Sequence, residues 1–209
     1  MAWWSGKYYD RYLDREVRFA RHAQSIDEAR RNFPRVGWGR TADLVWQEQR
    51  GHTEWLRKIW FAGNHSDIGG SYPEDESRLS DIALQWMIEQ LEAAAPEELQ
   101  IRRELLVTSP DCCGLQHDER LRVLDLEPRW LRRLSRERLT WREQLRDLDP
   151  HALLHPSVVD RFRVIAVPHM DEMRPYRPAN LREHEEVRGY FDEGKGANTL
   201  QDTGSDVPD

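Results

Sequence analysis

The most informative pattern in the chain is Ile59-Trp60-Phe61-Ala62-Gly63-Asn64-His65-Ser66-Asp67-Ile68-Gly69-Gly70-Ser71-Tyr72-Pro73. Its apolar start predicts a buried strand over 54–62, and the strand ends in a glycine-rich loop with one histidine and one aspartate. In α/β enzymes a buried strand fixes the backbone, and the loop that follows it carries the chemistry. The pattern therefore predicts an α/β fold with a candidate catalytic imidazole at His65.

The composition limits the class of protein. The 209 residues suffice for one domain or for part of a larger one. A net charge of −7 argues against a nucleic-acid partner. No apolar run reaches the roughly 18–20 residues that span a membrane, and the N-terminal residues lack a signal-peptide pattern. The only cysteines, Cys112 and Cys113, are adjacent and cannot build a disulfide scaffold, so we expect a cytoplasmic protein.

Helical patterns dominate the rest of the chain. We expect helices over 7–33, 97–107, 128–148 and 155–162, a loop over 37–51, and an extended segment over 176–181. The clearest helix begins after Ser77 or Ser80, where apolar residues share one face. These residues are Leu79, Ile82, Ala83, Trp86, Met87 and Leu91.

A single strand is convincing, at 54–62. A lone buried strand leaves its own backbone groups unpaired. It must therefore pair with a strand that the pattern hides, or with polypeptide outside this chain. Residues 191–209 are almost free of apolar side chains and are predicted to be a disordered tail.

The glycine-rich loop holds the candidate site. His65 can serve as general base and acid beside a serine nucleophile, or it can cap a turn. Asp67 can orient an imidazole, or it can brace backbone N–H groups of the Gly69-Gly70 turn, which we favour. Gly63, Gly69 and Gly70 support the loop through positive φ or close approach. A metal held by His65 and Asp67 is the least favoured alternative, and we predict no metal or cofactor.

A nucleophile for His65 is missing from the sequence. The G-x-S-x-G motif does not occur, and Ser71 precedes Tyr72-Pro73, a poor start for the helix that a nucleophile elbow needs. Cys112 and Cys113 have no base nearby in sequence and are expected to be structural thiols. The seven other histidines show no metal-ligand spacing, so we expect surface or turn roles for them.

The loop sequence resembles a known family. Residues 60–73, followed by Leu79-Ser80-Asp81-Ile82-Ala83-Leu84-Gln85-Trp86-Met87, are similar to the α/β-hydrolase catalytic domain of type VI secretion phospholipase effectors. The stretches 21–33, 155–158 and 176–181 also resemble that family, so that the similarity covers roughly residues 15–190.

The resemblance implies a triad in the chain order Ser, Asp, His. His65 takes the histidine position, whereas Asp67 follows it and does not match the triad aspartate. The resemblance places both the serine and the aspartate upstream of this chain. Residues 1–190 are then the C-terminal portion of an α/β-hydrolase-like domain, which we expect to be mostly helical with one clear strand.

The resemblance predicts the histidine-bearing half of a serine-type phospholipase or ester hydrolase, inactive alone because it lacks the serine. Its partners would be a lipid or ester substrate and a missing N-terminal half or a secretion-system component. It would reside in the cytoplasm of the producing cell and be exported by a type VI system. The alternatives are a non-catalytic protein that binds a partner through its helical second half, and a metal-dependent hydrolase.

Overall fold

Two parallel strands lie at the centre of the fold. The structure is a computed structural model that describes residues 13–192 except 15, 32, 36, 39–40 and 123–142. Strand β1 (Ala20–Ser25) pairs with β2 (Leu56–Phe61), from Ala20 beside Leu56 to Ser25 beside Phe61. Helix α1 (Thr41–Glu48) lies between them in the chain. Because the strands are parallel, the loops that follow them meet at the same end of the sheet, beyond the carboxyl ends of the strands.

The second half of β2, Ile59-Trp60-Phe61, is buried on both faces of the sheet, which explains why these three residues are all apolar. Trp60 packs into one hydrophobic cluster, and its neighbours Ile59 and Phe61 pack into another. The strand predicted over 54–62 is confirmed, with bounds at Leu56–Phe61. The predicted fold class is likewise confirmed to the extent that the structure contains both helices and strands.

Helices cover one face of this sheet. Helix α2 (His65–Gly69) is one turn long, and a 3-10 turn (Glu74–Glu76) leads from it to α3 (Arg78–Ala94). The predicted apolar face of α3 is confirmed where it packs on Ile59 and Phe61, although Leu91 is 46% exposed. Ser77 stands at the N-cap position, but its hydroxyl donates to the carbonyls of Tyr72 and Pro73 and accepts no bond from the first N–H groups of the helix.

The opposite face is covered by the second half of the chain. A 3-10 turn (Arg103–Leu105) and helix α4 (Glu119–Arg122) come before α5 (Pro156–Arg163), the predicted proline-initiated helix. A hairpin of β3 (Val167–His169) and β4 (Glu172–Arg174) follows, with 3-10 turns at Ala179–Leu181 and Arg188–Phe191. The Trp60 N–H donates to the carbonyl of Leu153, and the Trp60 carbonyl accepts from the N–H of His155, so this segment covers the edge of β2 that faces away from β1.

Several predictions of secondary structure are wrong. The region 7–33 contains β1 within its described part, 37–51 contains α1, and 97–107 holds only the short 3-10 turn. The expected extended segment 176–181 ends in a 3-10 turn. Most of the helix predicted over 128–148 and most of the predicted tail lie outside the described residues, and 144–148 is not helical.

The expectation of one clear strand in a mostly helical chain is also wrong, because the described residues form four strands. Strand β1 is the hidden partner of β2. Its sequence, Ala-Arg-His-Ala-Gln-Ser, favours helix by intrinsic propensity. Pairing with β2 overrides that local preference.

In the part of the chain that the structure describes, strand β1 is paired along one edge and open along the other. The N–H groups of Ala20 and Ile26 donate to Trp55 and Phe61, so the even-numbered residues face β2. The backbone groups of Arg21, Ala23 and Ser25 therefore point to the other side. Among the residues that the structure describes, none bonds to those backbone groups. Backbone polar groups in a sheet are normally paired, so this edge is suited to accept another strand.

Candidate active site

A rigid turn holds His65. The residue opens α2, directly after the N-cap Asn64. The Asn64 Oδ1 accepts bonds from the N–H groups of Ser66 (2.7 Å) and Asp67 (3.0 Å), and Asp67 Oδ2 accepts from the Asn64 N–H at 2.9 Å. This reciprocal capping box fixes the backbone of His65, whose own side chain stays 45% exposed.

Glu28 is the carboxylate that sequence analysis missed. It lies just after the end of β1, and its Oε2 accepts a hydrogen bond from Nδ1 of His65. Its side chain is only 1% exposed. The two residues are 37 positions apart and meet because β1 and β2 are parallel neighbours. An orienting carboxylate is thus present within this chain, although the resemblance placed one upstream.

Arg30 keeps that carboxylate ionised. Its Nε and Nη2 donate to the two oxygens of Glu28 at 2.9 and 2.8 Å, and its backbone N–H adds a third bond at 3.0 Å. Burial alone would raise the pKa of Glu28, but the hydrogen bonds from Arg30 and His65 outweigh it and lower the pKa to about 2. Arg30 Nη2 also lies 2.7 Å from Nδ1 of His65. Because both groups are donors to Glu28, the carboxylate selects the Nδ1–H tautomer.

The other ring nitrogen of His65 is left to act as an acceptor. The nearest hydroxyl in the described part of the chain is that of Ser66, 3.5 Å from Nε2, the outer limit of a hydrogen bond. The ring stacks on Phe33 at 5.1 Å. Beside it runs a groove of about 740 Å³, walled by β1, the end of α2 and α3. The arrangement provides an oriented base that faces a cavity of ligand size.

Asp67 braces the loop, but through partners that sequence analysis did not name. It is 2% exposed and bonds to the Asn64 N–H, to the His117 N–H (3.2 Å) and to His117 Nδ1 (2.7 Å). None of its bonds goes to His65 or to the Gly69-Gly70 turn. It does orient an imidazole, but that imidazole belongs to His117.

His117 is held from every side. Its Nε2 lies 3.1 Å from Glu76, and its ring stacks on Tyr72 with centroids 3.6 Å apart. Burial opposes protonation, but the hydrogen bonds and charges of Asp67 and Glu76 outweigh it and raise the pKa of His117. The expectation of a surface or turn role is wrong for His117, which is 8% exposed and bonds to residues distant in sequence. His184 is only 1% exposed but does have a turn role, because its Nδ1 accepts from the N–H of Glu186.

The three glycines of the loop differ in their roles. Gly63 has φ +111°, and a Cβ there would lie 2.5 Å from Cβ of Asp67. Gly70 has φ +75°. Gly69 has neither a positive φ nor a neighbour within 4 Å of an added Cβ. Gly63 is therefore the glycine that the site requires. Its positive φ and its missing side chain let the backbone turn after β2 while it lies against the side chain of Asp67.

His65 and Asp67 do not converge as metal ligands, because the Asp67 oxygens are bound elsewhere. The sulfurs of Cys112 and Cys113 lie 3.9 Å apart and unbridged, close to the Asp111 carboxylate. Burial and the neighbouring thiol raise the pKa of Cys112 to about 11. It therefore remains a thiol at neutral pH and is not an activated nucleophile.

Comparison with known proteins supports the sequence resemblance. Residues 2–90 match the family model described as "T6SS, Phospholipase effector Tle1-like, catalytic domain". The resemblance to this family is confirmed over those residues. They include Glu28, Arg30 and His65, whereas the resemblance suggested for 155–158 and 176–181 lies beyond the match and stays a prediction. No curated protein and no solved structure matches the chain.

In the part of the chain that the structure describes, no helix combines the length and the apolar character that a membrane span requires.

Proposed function

We propose that this chain supplies the general base and its orienting carboxylate to a serine-type ester hydrolase. The Glu28–His65 pair at the ends of two adjacent parallel strands is the observation that supports the proposal. The match of residues 2–90 to a phospholipase effector catalytic domain indicates the substrate class, a phospholipid or related ester. The proposal extends the α/β class to an α/β-hydrolase-like domain of which this chain is the C-terminal portion.

Each group has a defined role in the reaction. A serine attacks the ester carbonyl while Nε2 of His65 accepts its proton. Glu28, ionised and fixed by Arg30, stabilises the resulting imidazolium through Nδ1. The imidazolium then protonates the leaving alcohol, and backbone N–H groups hold the oxyanion. Water repeats the sequence to release the acid.

Ser66 is poorly placed to be the nucleophile. Its side chain belongs to the same helical turn as His65, is 9% exposed, and stands at the limit of hydrogen-bond distance. We therefore propose that the serine comes from polypeptide outside these 209 residues. The open edge of β1, which borders the groove beside His65, is where a strand from that polypeptide would pair.

A fluorophosphonate probe tests the origin of the serine, because it labels only an activated serine. We expect no labelled site in the 209-residue chain alone. A preparation that contains the polypeptide encoded directly upstream should be labelled on a serine of that polypeptide. His65→Gln should abolish labelling, and His151→Gln, at an exposed histidine remote from the groove, should leave it unchanged.

Labelling of Ser66 in the chain alone, dependent on His65, would overturn the assignment of the nucleophile to another polypeptide. Labelling that is indifferent to both His65 and Glu28 would overturn the hydrolase proposal itself. Peptide mass spectrometry identifies the modified serine in either case.

The open β1 edge also favours a second candidate, a non-catalytic protein that binds a partner. The partner would add a strand to β1, in place of contacts through the second half of the chain. A complex that forms equally well with wild-type and His65→Gln chains, and in which no serine is labelled, would support this reading. The family match supports export by a type VI system, which we include in the hydrolase proposal.

A further inference from the structure

Three consecutive side chains that can bind a metal lie close together in one turn. Cys112 and Cys113 place their sulfurs 3.9 Å apart, and a carboxylate oxygen of Asp111 lies within 4.8 Å of both. Both cysteines are half-buried and reduced. Elsewhere in the part of the chain that the structure describes, no three histidine, cysteine or acidic side chains are gathered in this way.

The backbone of this turn is held from inside the protein. Arg161 of α5 is completely buried, and its Nη1 donates to the carbonyls of Cys112 and Gly114. The Gly114 N–H donates to the carbonyl of Asp111 at 3.1 Å, and the Cys113 N–H donates to Oδ1 of Asp111 at 2.8 Å. Because these bonds fix the backbone of all three residues, the fold itself brings the two sulfurs and the carboxylate together.

The turn is also anchored to the elements around it. The Asp111 N–H donates to the carbonyl of Arg78 in α3 at 3.4 Å, and a Cβ on Gly114 would lie 2.5 Å from Cβ of Arg78. Cys112 packs against the hydrophobic cluster that contains Ile59 and Phe61 of β2. An ion bound to this turn would therefore be connected to α3, α5 and β2, and its binding should stabilise the folded chain.

The distance between the two sulfurs indicates which kind of ion fits. Zinc binds a cysteine sulfur at about 2.3 Å, so an ion bound to both sulfurs at their separation of 3.9 Å would have a sulfur–zinc–sulfur angle of about 116°. That angle is close to the tetrahedral value of about 109° that zinc prefers in proteins. Octahedral ions such as magnesium prefer oxygen ligands, and at the same bond length they would need the sulfurs about 3.3 Å apart.

We propose that Asp111, Cys112 and Cys113 form a binding site for a thiophilic divalent cation of the zinc class. Each thiol releases its proton to solvent as its bond to the metal forms. A carboxylate oxygen of Asp111 is the third protein ligand, and water takes the fourth position. The sequence-based expectation of structural thiols and no metal missed this site, because three adjacent ligands lack the spacing of a zinc motif. The site shares no residue with the groove beside His65, and it does not depend on the proposed hydrolase function.

Binding of cobalt(II) to the whole chain tests the proposal. The chain is prepared metal-free under a phosphine reductant and titrated with cobalt(II), because tetrahedral cobalt bound to thiolates gives strong visible and sulfur-to-metal absorption bands. We expect one cobalt ion per chain, displaced by zinc with a dissociation constant of about 1 μM or below at neutral pH. A thousandfold excess of magnesium should not displace it.

Matched variants separate the three ligands from the rest of the turn. Cys112→Ser and Cys113→Ser should each weaken zinc binding about a hundredfold or more and remove the sulfur-to-metal band. Asp111→Asn should weaken it about tenfold, although the amide oxygen can still accept the Cys113 N–H bond and preserve the turn. Asp160→Asn is the control, because the charge of Asp160 acts on Cys112 but its exposed carboxylate is paired with Arg163. It should leave zinc binding unchanged.

Thermal unfolding provides a second readout, because two adjacent cysteines can also bind a thiophilic ion in an unfolded chain. Zinc should raise the unfolding midpoint of the wild type and of Asp160→Asn, but not that of Cys112→Ser. Equal zinc affinity of the native and the urea-unfolded wild type, with no rise in the midpoint, would overturn the proposal. Cobalt spectra without sulfur-to-metal bands would also overturn it, and so would zinc affinity that is indifferent to Asp111→Asn.

Discussion

Two carboxylate–histidine pairs lie on either side of one helical turn, and they differ in what is left free. In the Glu28–His65 pair, Nδ1 is bound to a buried carboxylate while Nε2 faces the groove on a side chain that is 45% exposed. In the Asp67–His117 pair, both nitrogens contact carboxylates and the side chain is 8% exposed. The same chemical pair thus leaves an imidazole nitrogen available at the groove in one place and forms a structural brace in the other.

A carboxylate beside a histidine therefore does not by itself identify a catalytic base. The free second nitrogen and its access to a cavity make that distinction. The two pairs also depend on each other, because Asp67 caps the turn that His65 opens. Substitutions in the two pairs should therefore separate the two roles.

Exchanging each histidine for glutamine should produce opposite results. His65→Gln should lower ester hydrolysis by the complete site about 10⁴-fold or more, because the base is lost. It should change the free energy of unfolding little, since the ring is half exposed. His117→Gln should instead lower the stability by about 2 kcal/mol, because the glutamine cannot bond both carboxylates equally. Hydrolysis rates and urea unfolding measure the two effects, and equal loss of activity in both folded variants would remove the distinction.

Asp67→Asn should be the most destabilising single change in the loop. The amide loses charge toward His117 and presents one acceptor in place of two, so we expect a loss of about 3 kcal/mol in the free energy of unfolding. Asp75→Asn is the matched control, because Asp75 is exposed in the adjacent 3-10 turn. It should change the stability by less than about 0.5 kcal/mol. Similar values for both variants would show that Asp67 is not the brace.

Gly63→Ala should cost about 2 kcal/mol, because the alanine must adopt φ +111° with its Cβ against Asp67. Gly69→Ala provides the comparison within the same loop, since it has open space and no positive φ. It should be neutral or slightly stabilising. Thermal unfolding of the two variants measures the difference, and a neutral Gly63→Ala would refute the close approach.

The smallest expected difference between the two pairs is in the pH dependence of stability. The pKa of His117 is raised in the folded state, so its contribution is complete below the ordinary value of 6.5 and is lost as pH rises through the folded pKa. The pKa of Glu28 is lowered to about 2, so its contribution is lost as pH falls from about 4.5 toward 2. Unfolding curves across pH should lose the first dependence in His117→Gln and the second in Glu28→Gln, and a crossed result would contradict the assignment.

The sequence predicted the elements whose local pattern agrees with their packing. The apolar run of β2 is buried on both faces, and the α3 face repeats at helical spacing. Strand β1 was missed because its composition favours helix and its state depends on a neighbour 36 residues away. The position of His65 on the loop after β2 followed from the pattern, and the glycine that this loop requires was among those named.

The partners of the two histidines could not be predicted from local sequence. Glu28 and His117 lie 37 and 50 residues from the groups that they contact, and neither spacing has a motif. The usable signal for Glu28 was its position after a hidden strand: once β1 is paired in parallel with β2, the loops that carry Glu28 and His65 must meet. No comparable signal exists for His117, which reaches Asp67 through an irregular segment.

The two edges of β1 should differ in hydrogen exchange. Amide protons of Ala20, His22 and Gln24 face β2 and should exchange slowly, whereas those of Arg21, Ala23 and Ser25 should exchange quickly in the isolated chain. Protection should therefore alternate with a period of two along a single strand. A second strand at the open edge would slow the exchange of the Arg21, Ala23 and Ser25 amides and leave the exchange of the other three unchanged. The alternation therefore shows whether that edge is occupied.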